Sequence, residues 1–131
     1  MPNTPRILVA DDDPDTLGLI ELTLETAGYQ VETVASGGQA LLSARLQPYD
    51  LILLDIMMPD ISGFDVLRRM QAELPKTPPI IFLTAKNRPE DRQTGESLGA
   101  VAYLVKPTTR GTLLDVIRRA LGETKAEHAP D

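Results

Sequence analysis

Polar side chains follow four hydrophobic segments of the chain, each at the point where the segment ends. Asp11 and Asp12 follow ILVA, Asp55 follows LILL, Thr84 follows IIFL and Lys106 follows YLV. If these segments are neighbouring parallel strands, their carboxyl ends lie at one edge of one sheet, and the carboxylates, the hydroxyl and the amine converge there. We therefore expect a phosphoryl-transfer site at that edge.

Each of these residues also has a simpler explanation when it is considered alone. Three successive aspartates occur in solvated acidic runs, and Asp13 has the position of a helix cap. An aspartate before a turn, as at Asp55, is common. The combination favours a site, because suitable side chains occur at the ends of four strands in a regularly alternating chain. Asp11 and Asp12 at a strand end also repel each other and require a cation or a basic partner. Mg²⁺ suits such a pair, since it prefers oxygen ligands and is bound by one or two carboxylates together with water and phosphate oxygens.

Composition limits the classes of protein to which the chain can belong. Its 131 residues, 42% of them hydrophobic, fit one domain with a real core. The net charge of −6 disfavours direct binding to nucleic acid or to an anionic membrane surface. The chain has no cysteine, the MPNTPR start lacks an apolar signal core, and no apolar stretch approaches membrane-spanning length. These features predict a soluble cytoplasmic protein whose binding partner is another protein.

Short β-rich segments alternate with helical patterns along the chain, which predicts an α/β fold with a parallel sheet. The segment that ends at Asp55 is uniformly apolar and is therefore expected in the middle of the sheet, covered on both faces. Predicted strands cover residues 6–10, 30–35, 49–55, 79–84 and 102–105.

Cap patterns mark the ends of the predicted helices. Asp13 precedes Pro14, and Gly28 is placed to end the first helix. Ser36 and Ser62 have capping positions before the second and third helices. The fourth helix, within residues 87–99, has Leu98 as almost its only large apolar residue, so we expect it to be the least firmly anchored.

Four motifs in this order, ILVADDDPD, LILLDIMMPDISGFDVL, IIFLTA and GAVAYLVKP, resemble the receiver domain of two-component response regulators. The resemblance covers about residues 6–121. It implies a flavodoxin-like doubly wound (βα)5 fold with strand order 2-1-3-4-5. The domain would occupy residues 1–122, followed by a polar tail at 123–131 that we expect to be frayed.

The resemblance also assigns roles to the residues at the sheet edge. Asp55 matches the phospho-accepting aspartate. Asp11 and Asp12 match the acids that hold Mg²⁺ directly or through water, and the carboxylate of Asp55 and the backbone carbonyl of Met57 complete this set. The reaction would be phosphoryl transfer to the domain itself, followed by hydrolysis, so the chain would not be an enzyme that acts on a metabolite.

Further positions correspond to the family's switch. Thr84 matches the switch hydroxyl, the backbone N–H of Ala85 would bind a phosphoryl oxygen, and Lys106 matches the family's lysine. Tyr103 matches the switch aromatic, although its pattern also fits an ordinary half-buried strand residue. A cis bond is expected before Pro107, because X–Pro bonds adopt this form far more readily than others.

The partners implied are a sensor histidine kinase or a histidine phosphotransfer protein, together with an unknown downstream protein. The domain would be a monomer or a weak phosphorylation-dependent dimer, without direct contact to nucleic acid or membrane. In the positions that follow the Gly-Ala pair, Val101 and Ala102 replace the acids common in DNA-binding regulators that dimerise through this face. Thr108 replaces a frequent phenylalanine, so packing at the start of the last helix is expected to differ.

Three functional hypotheses remain open at the level of sequence. The chain could be a stand-alone receiver, which the short segment after the last helix favours, or a receiver fragment of a longer DNA-binding regulator or hybrid kinase. The third is a phosphohydrolase of the haloacid dehalogenase type, for which Asp11 and Asp13 have the required Asp-x-Asp spacing. Such an enzyme needs an acidic pair after the lysine, and the only acid nearby is Asp115.

Overall fold

A five-stranded parallel sheet forms the centre of the protein in the computed structural model, which describes residues 4–123. The strand order is β2-β1-β3-β4-β5, as predicted. The strands are β1 (Arg6–Ala10), β2 (Gln30–Val34), β3 (Leu51–Asp55), β4 (Ile80–Thr84) and β5 (Ala102–Val105). The helices are α1 (Pro14–Thr26), α2 (Gly37–Leu46), α3 (Gly63–Glu73), α4 (Pro89–Ser97) and α5 (Arg110–Ala120). This is the α/β class that the alternation of segments predicted, with the doubly wound arrangement that the family resemblance implied.

Two hydrophobic clusters cover the two faces of the sheet. On one face, Leu8, Ile52 and Phe82 pack with side chains of α2 and α3 and with Leu98 at the end of α4. On the other, alternate residues of the same strands pack against α1 and α5. All five residues of β3 and of β4 are buried. Apart from their last residues, these two strands are uniformly apolar, as expected of central parallel strands that are covered on both faces.

Side-chain caps begin four of the five helices. The Asp13 carboxylate accepts hydrogen bonds from the backbone N–H groups of Asp15 and Thr16 at α1. Ser36 Oγ accepts from the Gln39 N–H at 3.1 Å, while Gln39 Oε1 accepts from the Ala35 N–H at 2.9 Å. These contacts confirm the predicted helix starts, because they satisfy N–H groups that lack intrahelical partners.

Strand boundaries differ slightly from those predicted. β4 begins at Ile80 and not at Pro79, since proline has no N–H to contribute to a ladder. β3 begins at Leu51, two residues later than predicted, and the Tyr49 hydroxyl instead donates a hydrogen bond to Glu32. Gly28 has the left-handed φ of 101° expected after the first helix.

Most of the predicted polar tail lies outside the described residues, but Glu123 accepts a hydrogen bond from the Tyr29 hydroxyl at 2.9 Å. Among residues 4–123, no helix combines the length and the apolar character needed to cross a bilayer.

Candidate functional site

The ends of four strands bring the predicted site residues to one edge of the sheet. Asp11 directly follows β1, Asp55 and Thr84 are the last residues of β3 and β4, and Lys106 directly follows β5. Asp55 is in register with the residue before Thr84, and Thr84 with the residue before Lys106. The parallel register therefore places these residues side by side, as the sequence predicted.

Three carboxylates form a compact group at this edge. One oxygen from each of Asp11, Asp12 and Asp55 lies within 4.8 Å of the others. Asp11 and Asp55 are buried, whereas Asp12 is exposed. The group consists of hard oxygen donors of the type that Mg²⁺ prefers, and the exposed Asp12 places it next to solvent, from which such an ion keeps several water ligands. The residues present therefore fit a magnesium ion.

Lys106 supplies the positive charge nearest to these acids. Its ammonium nitrogen donates to Asp11 Oδ2 at 2.7 Å and lies 3.6 Å from Asp55 Oδ2. Burial of the ammonium opposes its charge, but the hydrogen bond to Asp11 and the negative charges of Asp55 and Asp11 outweigh burial and raise the pKa of Lys106. Lys106 therefore stays charged beside Asp55 at neutral pH.

Asp55 titrates nearer to neutrality than an ordinary aspartate. Burial and then the charge of Asp11 raise its pKa to about 6, although Lys106 and the Met57 N–H act in the opposite direction. The Met57 N–H donates to Asp55 Oδ1 at 3.3 Å. Above pH 6 the carboxylate is mainly ionised and can act as a nucleophile toward phosphorus.

The loop from β3 to α3 leaves no space for a side chain at Gly63. A Cβ there would lie 2.4 Å from the backbone oxygen of Asp55, and the Gly63 N–H donates to the Ile56 carbonyl at 2.8 Å. Glycine at this position lets the backbone close tightly over the end of β3. The loop carries Met57, whose side chain is exposed.

Thr84 and Ala85 occupy the end of β4. The Thr84 side chain is fully buried, and its Oγ1 accepts from the Lys86 N–H at 3.1 Å. Ala85 follows at the exposed surface. The Lys106 N–H donates to the Thr84 carbonyl at 2.7 Å, so the last residues of β4 and β5 are joined directly beside the site. The Lys106–Pro107 peptide bond is cis.

Tyr103 lies on β5 with its ring packed against the α4 side of the core. The guanidinium carbon of Arg92 lies 4.5 Å from the ring centroid, a cation–π distance. The hydroxyls of Tyr103 and Thr108 are buried and have no hydrogen-bond partner within the described residues. Burial also raises the pKa of the Tyr103 phenol.

Two contacts near the site were not predicted from the sequence. One is the Arg92–Tyr103 stacking, and the other joins Asp60 to the backbone of Gly37 and Gly38. The sequence shows an aspartate in the loop and two glycines after Ser36. It does not show that they contact each other, because they are more than 20 residues apart in the chain. Asp13, which the hydrolase hypothesis would place in the site, caps α1 and is outside the carboxylate group.

The chain is similar to proteins of known type over most of its length. It is 42% identical to the DNA-binding dual master transcriptional regulator RpaA of Synechocystis over 123 residues, which cover 92% of this chain and 50% of that protein. The chain spans about half or less of the length of RpaA and of two other curated relatives that it matches.

Solved structures agree with the fold and include a metal-bound example. The chemotaxis protein CheY4 of Vibrio cholerae has 38% identity and a TM-score of 0.82, with coverage of 91% of this chain and 100% of that one. The receiver domain of the sensor histidine kinase PA1611 of Pseudomonas aeruginosa, with a magnesium ion coordinated in its active-site cleft, has 37% identity and a TM-score of 0.83, with coverage of 92% and 99%. The family sequence model described as the response regulator receiver domain matches residues 7–118. With this match, the strand order and the acidic edge, the chain belongs to the receiver-domain family of two-component response regulators.

Proposed function

We propose that Asp55 accepts a phosphoryl group from a phosphohistidine on a partner protein. The partner would be a sensor histidine kinase or a histidine phosphotransfer protein. The observation that carries the proposal is the position of Asp55 Oδ2, 3.6 Å from the Lys106 ammonium, in a group of carboxylates that also contains Asp11 and Asp12. A nucleophile, a cation and a set of metal ligands are thus in reach of one incoming phosphoryl group.

The reaction follows from these charges. An Asp55 carboxylate oxygen forms the new P–O bond while the P–N bond of the phosphohistidine breaks, and the departing imidazole nitrogen takes up a proton. Lys106 neutralises negative charge on the phosphoryl oxygens during transfer. Hydrolysis of the resulting acyl phosphate restores Asp55 and releases inorganic phosphate. Both steps take place on the domain's own aspartate, so the chain would act as a signalling domain.

A magnesium ion fits the reaction as a cofactor. Asp11, Asp12, the carboxylate of Asp55 and the backbone carbonyl of Met57 would hold it. When bound, Mg²⁺ supplies the additional positive charge that stabilises the transferring phosphoryl group. Support comes from the composition of the oxygen group in this chain and from the magnesium-bound PA1611 receiver.

The output would be a change in a protein-interaction face. Thr84 Oγ1, now an acceptor for the Lys86 N–H, would turn its hydroxyl toward a phosphoryl oxygen, and the Ala85 N–H would bind another. As Thr84 moves toward the phosphoryl group, the Tyr103 side chain, whose hydroxyl is buried, would fill the space that Thr84 vacates. This movement would alter the surface formed by α4, β5 and α5. We further propose that the protein is cytoplasmic and that it is a monomer or a weak phosphorylation-dependent dimer. Its changed surface would be recognised by an unknown downstream protein.

Relatives of greater length give this proposal two contexts. RpaA is named as a DNA-binding regulator, and the chain matches half of its length. The chain would then be the receiver part of such a regulator, or a receiver that acts alone. In either case we expect no direct nucleic-acid contact by the receiver domain itself, because the net charge of the chain is −6.

Phosphorylation with small donors tests the proposal directly. The protein is incubated with Mg²⁺ and either acetyl phosphate or phosphoramidate, whose P–N bond resembles that of phosphohistidine, and the adduct is mapped by mass spectrometry. We expect one acid-stable, base-labile phosphoryl group on Asp55, absent from Asp55→Asn. Asp50→Asn is the matched control, because Asp50 lies before β3 at the opposite edge of the sheet. Labelling at Asp11, or undiminished labelling of Asp55→Asn, would contradict the proposal.

A further inference from the structure

The Asp60 carboxylate joins the β3–α3 loop to the beginning of α2. Asp60 Oδ1 accepts the Gly37 N–H at 3.0 Å, and Oδ2 accepts the Gly38 N–H at 2.8 Å. Gly37 and Gly38 are the first two residues of α2, so these N–H groups have no partner within their own helix. A loop residue thus provides a cap that normally comes from the residue before a helix.

The contact between this loop and α2 is close. A Cβ at Gly37 would lie 2.8 Å from the Ile61 carbonyl oxygen and 2.9 Å from Val66 Cγ2. A Cβ at Gly38 would lie 3.1 Å from Asp60 Oδ2. The two glycines therefore allow the loop and the helix to approach so closely that the carboxylate reaches both N–H groups.

Charge strengthens this link. The hydrogen bonds from the Gly38 and Gly37 N–H groups lower the pKa of Asp60, so its carboxylate is ionised throughout the neutral range. An anion at a helix N-terminus also interacts favourably with the positive end of the helix dipole. Hydrogen bonds that involve an ionised acceptor are stronger than neutral ones.

The same loop carries the proposed metal ligands at its start. Asp55 ends β3, Met57 follows two residues later, and the loop is fixed internally by the Gly63 N–H on the Ile56 carbonyl at 2.8 Å. That bond fixes the base of the loop. Asp60 fixes its outer part, and it does so against a different element of the fold.

We infer that Asp60 is a positioning residue for the phosphoryl-transfer site. By holding the loop against α2 it limits the movement of the segment that contains Met57, and so it sets the affinity of the site for Mg²⁺. The inference rests on the proposed function, because it assigns Asp60 a role toward the same site. Groups that orient metal ligands without touching the metal commonly change affinity by about 10-fold or more when removed.

Magnesium affinity of variants of the whole chain provides the test, with isothermal titration calorimetry as the measurement. We expect Asp60→Ala to bind Mg²⁺ about 10-fold more weakly than the wild type. Ser36→Ala is the matched control, because Ser36 caps the same end of α2 through the Gln39 N–H but makes no bond to the loop. We expect both variants to have a lower free energy of unfolding in urea denaturation, whereas only Asp60→Ala should lose Mg²⁺ affinity. Unchanged affinity in Asp60→Ala, or an equal loss in Ser36→Ala, would overturn the inference.

Asp60→Asn provides a second measurement if Asp60→Ala does not fold. Its amide oxygen can accept a hydrogen bond from one of the two N–H groups. We therefore expect its Mg²⁺ affinity to be about threefold lower than that of the wild type, and higher than that of Asp60→Ala. Wild-type affinity in Asp60→Asn would then overturn the inference. Phosphoryl labelling of wild-type Asp55 separates the two proposals. If the wild type is labelled and both Asp60 variants bind Mg²⁺ normally, only the role of Asp60 is rejected. If the wild type is not labelled, the proposed function is rejected.

Discussion

The environment that the fold gives to Asp55 destabilises the ionised form of its carboxyl group. Burial and the Asp11 charge raise its pKa from 3.8 to about 6. The folded state therefore binds a proton more tightly than the unfolded state, and stability falls as pH rises between these two values. Below pH 3.8 both states are protonated and the penalty is absent, whereas above pH 6 it is fully present.

Replacing Asp55 by asparagine should remove this penalty. In the absence of divalent ions at pH 7.5, we expect Asp55→Asn to be more stable than the wild type by about 1–2 kcal/mol. The full pKa shift corresponds to about 3 kcal/mol, which partial solvation of the site reduces. Urea unfolding at pH 7.5 and pH 3.5 measures the effect, and the advantage should disappear at the lower pH. An Asp55→Asn protein that is less stable than the wild type at pH 7.5 would contradict this account.

Replacing Lys106 should lower the stability of the protein and raise the pKa of Asp55, because Lys106 is the positive charge closest to the buried carboxylates at this edge. Lys106→Met leaves the fully buried Asp11 without its partner at 2.7 Å, and we expect a loss of about 2–4 kcal/mol of unfolding free energy. The pKa of Asp55 should also rise above its wild-type value of about 6, because Lys106 lowers it. Urea unfolding and carboxyl NMR titration measure the two effects.

An exposed lysine near the same edge supplies the control for this change. Lys86→Met removes an equal charge from an exposed position and should alter stability by less than about 0.5 kcal/mol. The double variant Asp11→Asn/Lys106→Met should recover part of the stability lost in Lys106→Met, since it removes the uncompensated buried charge. A Lys106→Met protein with wild-type stability and an unchanged Asp55 titration would show that the ion pair has little influence.

Among the elements, α4 is attached to the core by few side chains. Within α4 only Gly95 is buried, while α3 buries Val66, Leu67 and Met70 in addition to Gly63. Leu98, just after α4, is the main apolar contact of this segment with the core. A helix with so little buried apolar area opens at a low free-energy cost.

Hydrogen exchange should distinguish these two helices. We expect amides of residues 89–97 to exchange faster than those of residues 63–73 in the same molecule, measured by mass spectrometry with peptide resolution. The comparison is internal, so differences in global stability cancel. Equal protection in the two segments would mean that the Arg92–Tyr103 stacking and the Gly95 contact with Phe82 anchor α4 as firmly as a buried apolar stripe.

At the scale of the whole molecule, the site could be predicted because a parallel sheet aligns the carboxyl ends of its strands. Predicting the convergence of Asp11, Asp55, Thr84 and Lys106 required the recognition of four strands and the assumption that they are neighbours in one parallel sheet. The strand order itself was supplied by the family resemblance, since alternation of elements gives only the fold class. The contacts of Asp60 and of Arg92 depend on the approach of separate helices and loops, which periodicity along a chain does not encode.

Metal binding to a site assembled from several strands should stabilise the entire fold. Any ligand that binds only the folded state raises its stability by mass action, and Mg²⁺ at ten times its dissociation constant adds about 1.4 kcal/mol. For a domain of this size we expect the melting temperature at pH 7.5 to rise by about 5 °C, and excess EDTA should reverse the rise. Differential scanning calorimetry measures both changes.

The run of three aspartates provides matched variants for this last experiment. Asp12→Asn removes a charge from the carboxylate group and should lose most of the Mg²⁺-induced rise in melting temperature. Asp13→Asn removes the same charge one residue later, yet asparagine still caps α1, so its rise should equal that of the wild type. Equal responses in the two variants would place the ion outside the Asp11, Asp12 and Asp55 group. Different responses would show that the ion depends on where a carboxylate lies and not on the overall negative charge of the chain.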